Sequence, residues 1–161
     1  MKVIDHKREF RNALGTFATG VTVVTSASDT GEPIGMTVNS FASVSLDPPL
    51  VLWSIDKRSR YLETFTKTDH FAIHILKREQ EALSNLFASS ENDKFTNLQW
   101  QPDSNGTPLL PDYETRFVCT TEHCYEGGDH IIIVGKVRDF DYHGGSPLLF
   151  HCGRYKSVAE D

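Results

Sequence analysis

Hydrophobic and polar positions along the chain follow two periods. A helical spacing appears in three short stretches. Phe10, Leu14 and Phe17 recur at i, i+4 and i+7, with Asp5 placed to cap the segment and Gly15 near its end. Residues 59–66 predict a second short helix with Tyr61, Leu62 and Phe65 turned inward, and residues 78–89 a third with Leu83, Leu86 and Phe87 on one face. Elsewhere β-branched and alternating runs predict strands: residues 21–26, then 34–38, where Ile34, Met36 and Val38 alternate with Gly35, Thr37 and Asn39. Further strands are expected at residues 50–55, 71–76, 116–125, 130–142 and 154–157. Ser28-Asp29-Thr30-Gly31 reads as a turn, and residues 92–113, with Pro102, Gly106, Pro108 and Pro111, as a long surface excursion. Many short strands with only three helices predict a closed or nearly closed β-barrel with peripheral helices, and argue against a doubly wound parallel sheet.

A chain of 161 residues fits one domain, residues 1–161, that buries roughly 69 % of its unfolded surface and supports a core without metal or disulfide. Sixteen Lys+Arg against twenty-two Asp+Glu, a net charge of −6 with no basic block, argues against nucleic-acid and anionic-membrane partners. No apolar run approaches the ~18 residues that span a bilayer, and the first residues carry no hydrophobic signal region. The expected location is the cytoplasm. Cys119, Cys124 and Cys152, odd in number and sparse, fit free thiols in a reducing compartment. His123-Cys124 and His151-Cys152 are adjacent pairs on or near strands, where neighbours point to opposite faces, so a metal site is not expected.

Three segments have residue types that suit chemistry. In the stretch from Gly35 to Leu50, a strand ends in Thr37-Val38-Asn39-Ser40, and Pro48-Pro49 stops the chain before the next strand. Hydroxyls and an amide at a strand end can face a flat heteroaromatic ligand, although pattern alone favours local capping of the turn. Lys57-Arg58-Ser59, just ahead of a predicted helix, can form a phosphate-type anion site alongside Ser54, or be a solvated run partly neutralised by Asp56. Gly127-Gly128-Asp129-His130 opens a β-branched strand. His130 then sits at the strand's mouth, where a structural histidine bonded to Asp129 is the simpler reading. His74 is expected to face away from the core, and His6, His70 and His143 to be exposed. Phe87, Ala88 and Lys94 follow a helix and suit core packing or a ligand border. There is no GxGxxG, no GxSxG, and the glycines around residues 128–135 fail the Walker spacing.

Taken in order, the words Thr19-Gly20-Val21-Thr22-Val23-Val24-Thr25, Gly35-Met36-Thr37-Val38-Asn39-Ser40-Phe41 and Ser43-Val44-Ser45-Leu46-Asp47-Pro48-Pro49-Leu50 resemble the flavin reductase-like family. Phe87-Ala88, Asp93-Lys94-Phe95, Gly128-Asp129-His130 with Val134-Gly135, and Pro147-Leu148-Leu149 continue the resemblance, which runs from about Phe10 to Val158. The family includes the small reductase components of two-component flavin-dependent monooxygenases. The resemblance implies a mainly β, Greek-key split barrel of FMN-binding type with peripheral helices. It implies a homodimer that uses NADH or NADPH to reduce FMN or FAD without a Rossmann domain, and a partner monooxygenase. It further implies that Thr37, Val38, Asn39 and Ser40 contact the flavin ring and that Ser54, Lys57, Arg58 and Ser59 hold ribityl and phosphate. On the same ground Phe87, Ala88 and Lys94 border the flavin, and His130 lies near the nicotinamide. Two other readings of the same barrel are a non-enzymatic flavin-binding electron carrier or sensor and a flavin-free interaction subunit.

Overall fold

β-branched and aromatic residues place the strands, and one short link decides how they curl. The computed structural model describes residues 6–160. Its strands are β1 (Thr19–Gly20), β2 (Thr22–Ala27), β3 (Pro33–Val38), β4 (Ala42–Leu46), β5 (Pro49–Asp56), β6 (His70–Ile75), β7 (Gln101–Pro102), β8 (Pro108–Leu109), β9 (Thr115–Gly127), β10 (His130–Tyr142), β11 (Leu148–His151) and β12 (Arg154–Ser157). The helices are α1 (Lys7–Leu14), α2 (Leu62–Lys67) and α3 (Glu81–Ala88), the last preceded by a 3-10 turn at Arg78–Gln80.

Seven strands form one antiparallel sheet in the order β3-β2-β6-β9-β10-β5-β4. Laid flat, seven strands would set β3 and β4 about 29 Å apart at the usual inter-strand spacing. Only residues 39–41 join the two strands, a link that reaches at most about 14 Å. The sheet must therefore curl until its two edges meet at that corner, which makes a barrel split between β3 and β4. Its interior holds Trp53, with Phe65 and Phe71 edge-on at 4.9 and 6.0 Å, and with Val24, Ile55, Ile73 and Ile133 around them. Gly135 is required here: a Cβ on it would lie 2.5 Å from Phe71 Cζ.

A second apolar cluster of Val21, Val23, Leu76, Phe87, Phe95, Leu110 and Leu148 covers the outer face of β2 and β6. Strand β2 is thus buried on both faces. Its hydroxyls find internal acceptors: Thr22 donates to Val38 O at 2.9 Å, Thr25 to Pro108 O at 2.6 Å and Ser26 to His70 O at 2.8 Å. The same covering overturns two expectations. His74 does not face away from the core; it is fully buried, with Nδ1 3.0 Å from Val23 O and Nε2 accepting the Leu110 N–H at 3.1 Å. Residues 92–113 are not a surface excursion, because they form the β7–β8 hairpin and bury Phe95, Thr107, Leu110 and Tyr113. Apolar residues spaced too irregularly to show a period supply that cover.

The first helix also differs from its expectation. Phe10, Leu14 and Phe17 are 50, 60 and 79 % exposed, so nothing among the described residues covers the apolar stripe. Asp5, expected as its cap, lies outside the described residues, and His6 stands at the cap position with no side-chain cap bond. His6 and His143 are exposed, while His70 is half-buried. Helix α2 begins at Leu62, later than expected, because Ser59 closes a turn onto Asp56 O at 2.9 Å and its Oγ accepts the Tyr61 N–H. Phe65 fills the barrel as expected, with Tyr61 and Leu62 packed beside it. No described helix is long and apolar enough to cross a membrane.

Candidate functional site

The corner that joins the barrel edges carries the polar run 37–40. Thr37 donates to Ser84 O of α3 at 2.6 Å, which ties the end of β3 to that helix. Val38 is buried and Asn39 exposed. Ser40 takes over where β4 stops pairing with β5 at Leu52: its Oγ accepts the Ser54 N–H at 2.9 Å and lies 3.3 Å from Ser54 O. A hydroxyl therefore continues the ladder that the strand abandons, and the backbone of Ser54 stays satisfied at the split.

Asn39 stands between two cavities. One, about 260 Å³, is lined by Phe17, Thr19, Val21, Asn39 and Phe41 among others, and the buried hydroxyl of Thr19 has no hydrogen-bond partner among the described residues. The other, about 210 Å³, is lined by Thr37, Val38, Asn39, Ser84, Ala88 and Tyr155. Ser84 Oγ and Tyr155 Oη, 2.7 Å apart, form its polar wall. Thr37, Val38, Asn39 and Ala88 are thus brought together. Phe87 is not: its ring is buried against Gly35, where a Cβ would come within 2.6 Å, and meets Phe95 edge-on at 5.2 Å. Lys94 is buried, donates to Phe87 O at 3.2 Å and sits 5.2 Å from the Tyr61 ring centroid.

A charged cluster occupies the far end of β5. Antiparallel pairing sets His130 opposite Asp56 and Ile132 opposite Ser54, so these four side chains share one face of the β5–β10 ribbon. Lys57 N–H donates to Asp129 O at 2.9 Å and locks the β9–β10 hairpin onto the loop after β5. Lys57 Nζ lies 2.5 Å from Glu126 Oε2, and Arg58 Nη2 2.9 Å from Asp56 Oδ2. The Arg58 side chain beside Asp56 holds that carboxyl down at about 2, so it is ionised at any ordinary pH. His130 Nδ1 meets Asp129 Oδ1 at 2.7 Å, which leaves Nε2 as the free ring nitrogen. The pairing with His130 likewise lowers the Asp129 carboxyl.

Lys57, Arg58 and Ser59 thus follow directly on Asp56, which lies opposite His130, with Ser54 further along the same ribbon and Ser40 bonded to it from the β3–β4 corner. Among the sequence-selected residues, Lys94 and Phe87 stand apart as interior groups. Thr19, Ser84, Tyr155 and Glu126 were not selected as site residues by sequence. Each is ordinary in its local context, and only strand register or helix docking brings it to the site.

Residues 14–159 match the flavin reductase like domain family. An FMN reductase (NADH), SmoA, of Agrobacterium fabrum is 48 % identical over 151 residues, covering 94 % of this chain and 86 % of that protein. The reductase component of the flavin-dependent trigonelline monooxygenase of Acinetobacter baylyi is 44 % identical over 160 residues, which is 99 % of this chain but 52 % of that protein. Among solved structures, the NADH:FAD oxidoreductase SgcE6 of Streptomyces globisporus, in complex with NAD and FAD fragments, superposes with a TM-score of 0.93 at 36 % identity. That superposition covers 100 % of this chain and 98 % of the other. The chain therefore spans most of two of these proteins and about half of the third.

Proposed function

The chain belongs to the flavin reductase like domain family, and from that premise we propose that it is an NAD(P)H:flavin oxidoreductase supplying reduced FMN or FAD to a partner monooxygenase. The observation that carries this reading is the end-to-end likeness to an NADH:FAD oxidoreductase. The relative named as a reductase component of a monooxygenase supports the downstream partner.

The residues present fit such a ligand. Two cavities flank Asn39 at the split, and the Thr19 hydroxyl lining one of them, which has no partner among the described residues, is a polar group a ligand there could satisfy. Thr37, Val38, Asn39 and Ser40 would hold the flavin ring with Ala88 beside it, while the buried Phe87 and Lys94 would support that wall only from the interior. Ser54 would meet the ribityl chain, and Lys57, Arg58 and Ser59 the phosphate. Hydride transfer from nicotinamide to flavin is the chemistry those two groups supply when bound. The protein's part is to hold two flat rings in register and exclude water. His130, fixed through Nδ1 by Asp129, offers Nε2 to orient the nicotinamide end of the donor.

A homodimer belongs to the same proposal. Phe10, Leu14, Phe17, Phe140 and Tyr142 are each at least half exposed, large apolar side chains that a second copy could cover.

Absorbance at 340 nm with NADH, then NADPH, with and without FMN or FAD tests the activity. Rapid oxidation that depends on added flavin is expected. A yellow protein that ignores both nicotinamides would instead be an electron carrier, and a colourless inert one would leave only the fold in common.

A further inference from the structure

Three carboxylates crowd the cations assigned above to the flavin phosphate, and they are not equivalent. Asp56 accepts from the backbone N–H, Nε and Nη2 of Arg58, two residues away, and so builds the turn that Arg58 sits on. Asp129 holds His130 in place. Glu126 does neither. Among the described residues its side chain bonds only Lys57 Nζ, at 2.5 Å, and it is 76 % exposed. Sixty-nine positions separate the two residues, so no local turn pairs them. The pair exists because β10 bonds both β5 and β9, bringing Gly127 and Asp56 to either side of His130. A carboxylate with no part in the turn or in positioning the histidine thus rests on one of the two cations.

We propose that Glu126 sets the affinity for phosphorylated flavin, as a built-in counter-ion that the phosphate displaces from Lys57, so that flavin exchanges as a substrate. The inference rests on the assignment of Lys57 and Arg58 to the phosphate. Its physical basis is a competition: a phosphate reaching Lys57 must move the Glu126 carboxylate and then endure its charge a few ångströms away. Because both partners are solvent-accessible, screening limits the effect to about two- to fivefold in affinity.

The test compares FMN with riboflavin, which lacks the phosphate, through dissociation constants from flavin fluorescence quenching at low salt. Glu126→Gln, a near-isosteric change at an exposed position, should tighten FMN by about two- to fivefold and leave riboflavin unchanged. The gain should shrink at high salt and vanish in the Lys57→Ala background. Unchanged FMN affinity, equal tightening of both flavins, or a gain of the same size without Lys57 would overturn the proposal. The phosphate reading fails separately: if Lys57→Ala in the otherwise native chain weakens FMN and riboflavin alike, the assignment of Lys57 is wrong and the role of Glu126 falls with it.

Discussion

At the scale of single residues, the roles proposed for the charged end of β5 can be tested one ligand at a time. Replacing Lys57 and Arg58 together by alanine should weaken FMN at least tenfold while riboflavin changes little, since each lost charge-assisted bond to phosphate contributes about 1.5–3 kcal/mol. Equal losses for the two flavins would refute the phosphate role. His130→Ala should raise the KM for NADH or slow reduction and spare flavin binding, which titration of the same variant with FMN checks. His74 has a different part. Burial is the main cause that drives its pKa from 6.5 down to about 3, with Arg116 adding to it against the Val23 carbonyl bond. The unfolded chain takes up that proton near pH 6.5 and the folded chain only near 3. Between these values the unfolded state binds more protons, so stability is fully present above pH 6.5 and falls as the solution is acidified. The slope reaches ~1.4 kcal/mol per pH unit. Urea midpoints at pH 7.5 and 5 should therefore differ more for the native chain than for His74→Gln.

Among elements, β10 is the busiest. Its N-terminal end supplies His130, its partner β5 supplies Ser54 and Asp56, and its middle passes Phe71 closely enough to require Gly135. An added methyl there meets a ring fixed in the barrel core, and overpacking of this kind costs about 1–3 kcal/mol. Gly135→Ala should lower the melting temperature by several degrees, and an unchanged melt would mean that the Phe71 ring has room to move. The exposed stripe on α1 has no comparable constraint within one chain.

For the molecule as a whole, the split between β3 and β4 is the feature on which the rest depends. It opens the barrel at Asn39 and leaves the polar run 37–40 at an edge, between two cavities, instead of inside a closed wall. Apolar residues left outside, on α1 and at the far end of β10, lead to the expectation of a dimer. Sedimentation at micromolar concentration should give twice the chain mass, and a monomer would refute it.

Strand positions were legible at residues 130–142, where β-branched residues cluster and coincide with β10, and the short strand expected at 154–157 coincides with β12 without any β-branched residue. The ordered words around residues 19–25, 35–50 and 128–135 pointed to the family that residues 14–159 match. Local chemistry was legible too, since Asp56 does neutralise Arg58 and Asp129 does bond His130. Three things were decided only by the tertiary structure. Whether β2 and β6 had one buried face or two depended on residues 92–113 folding over them, and with it the burial of His74. The start of α2 depended on the turn after Asp56, which takes up Ser59 and is held against the β9–β10 hairpin by the Lys57 N–H bond to Asp129 O. The pairing of Glu126 with Lys57 depended on strand register, because side chains far apart in sequence become neighbours only when ladders align. Periodicity reports which side of a strand is apolar; it contains no information about what will lie across from either side.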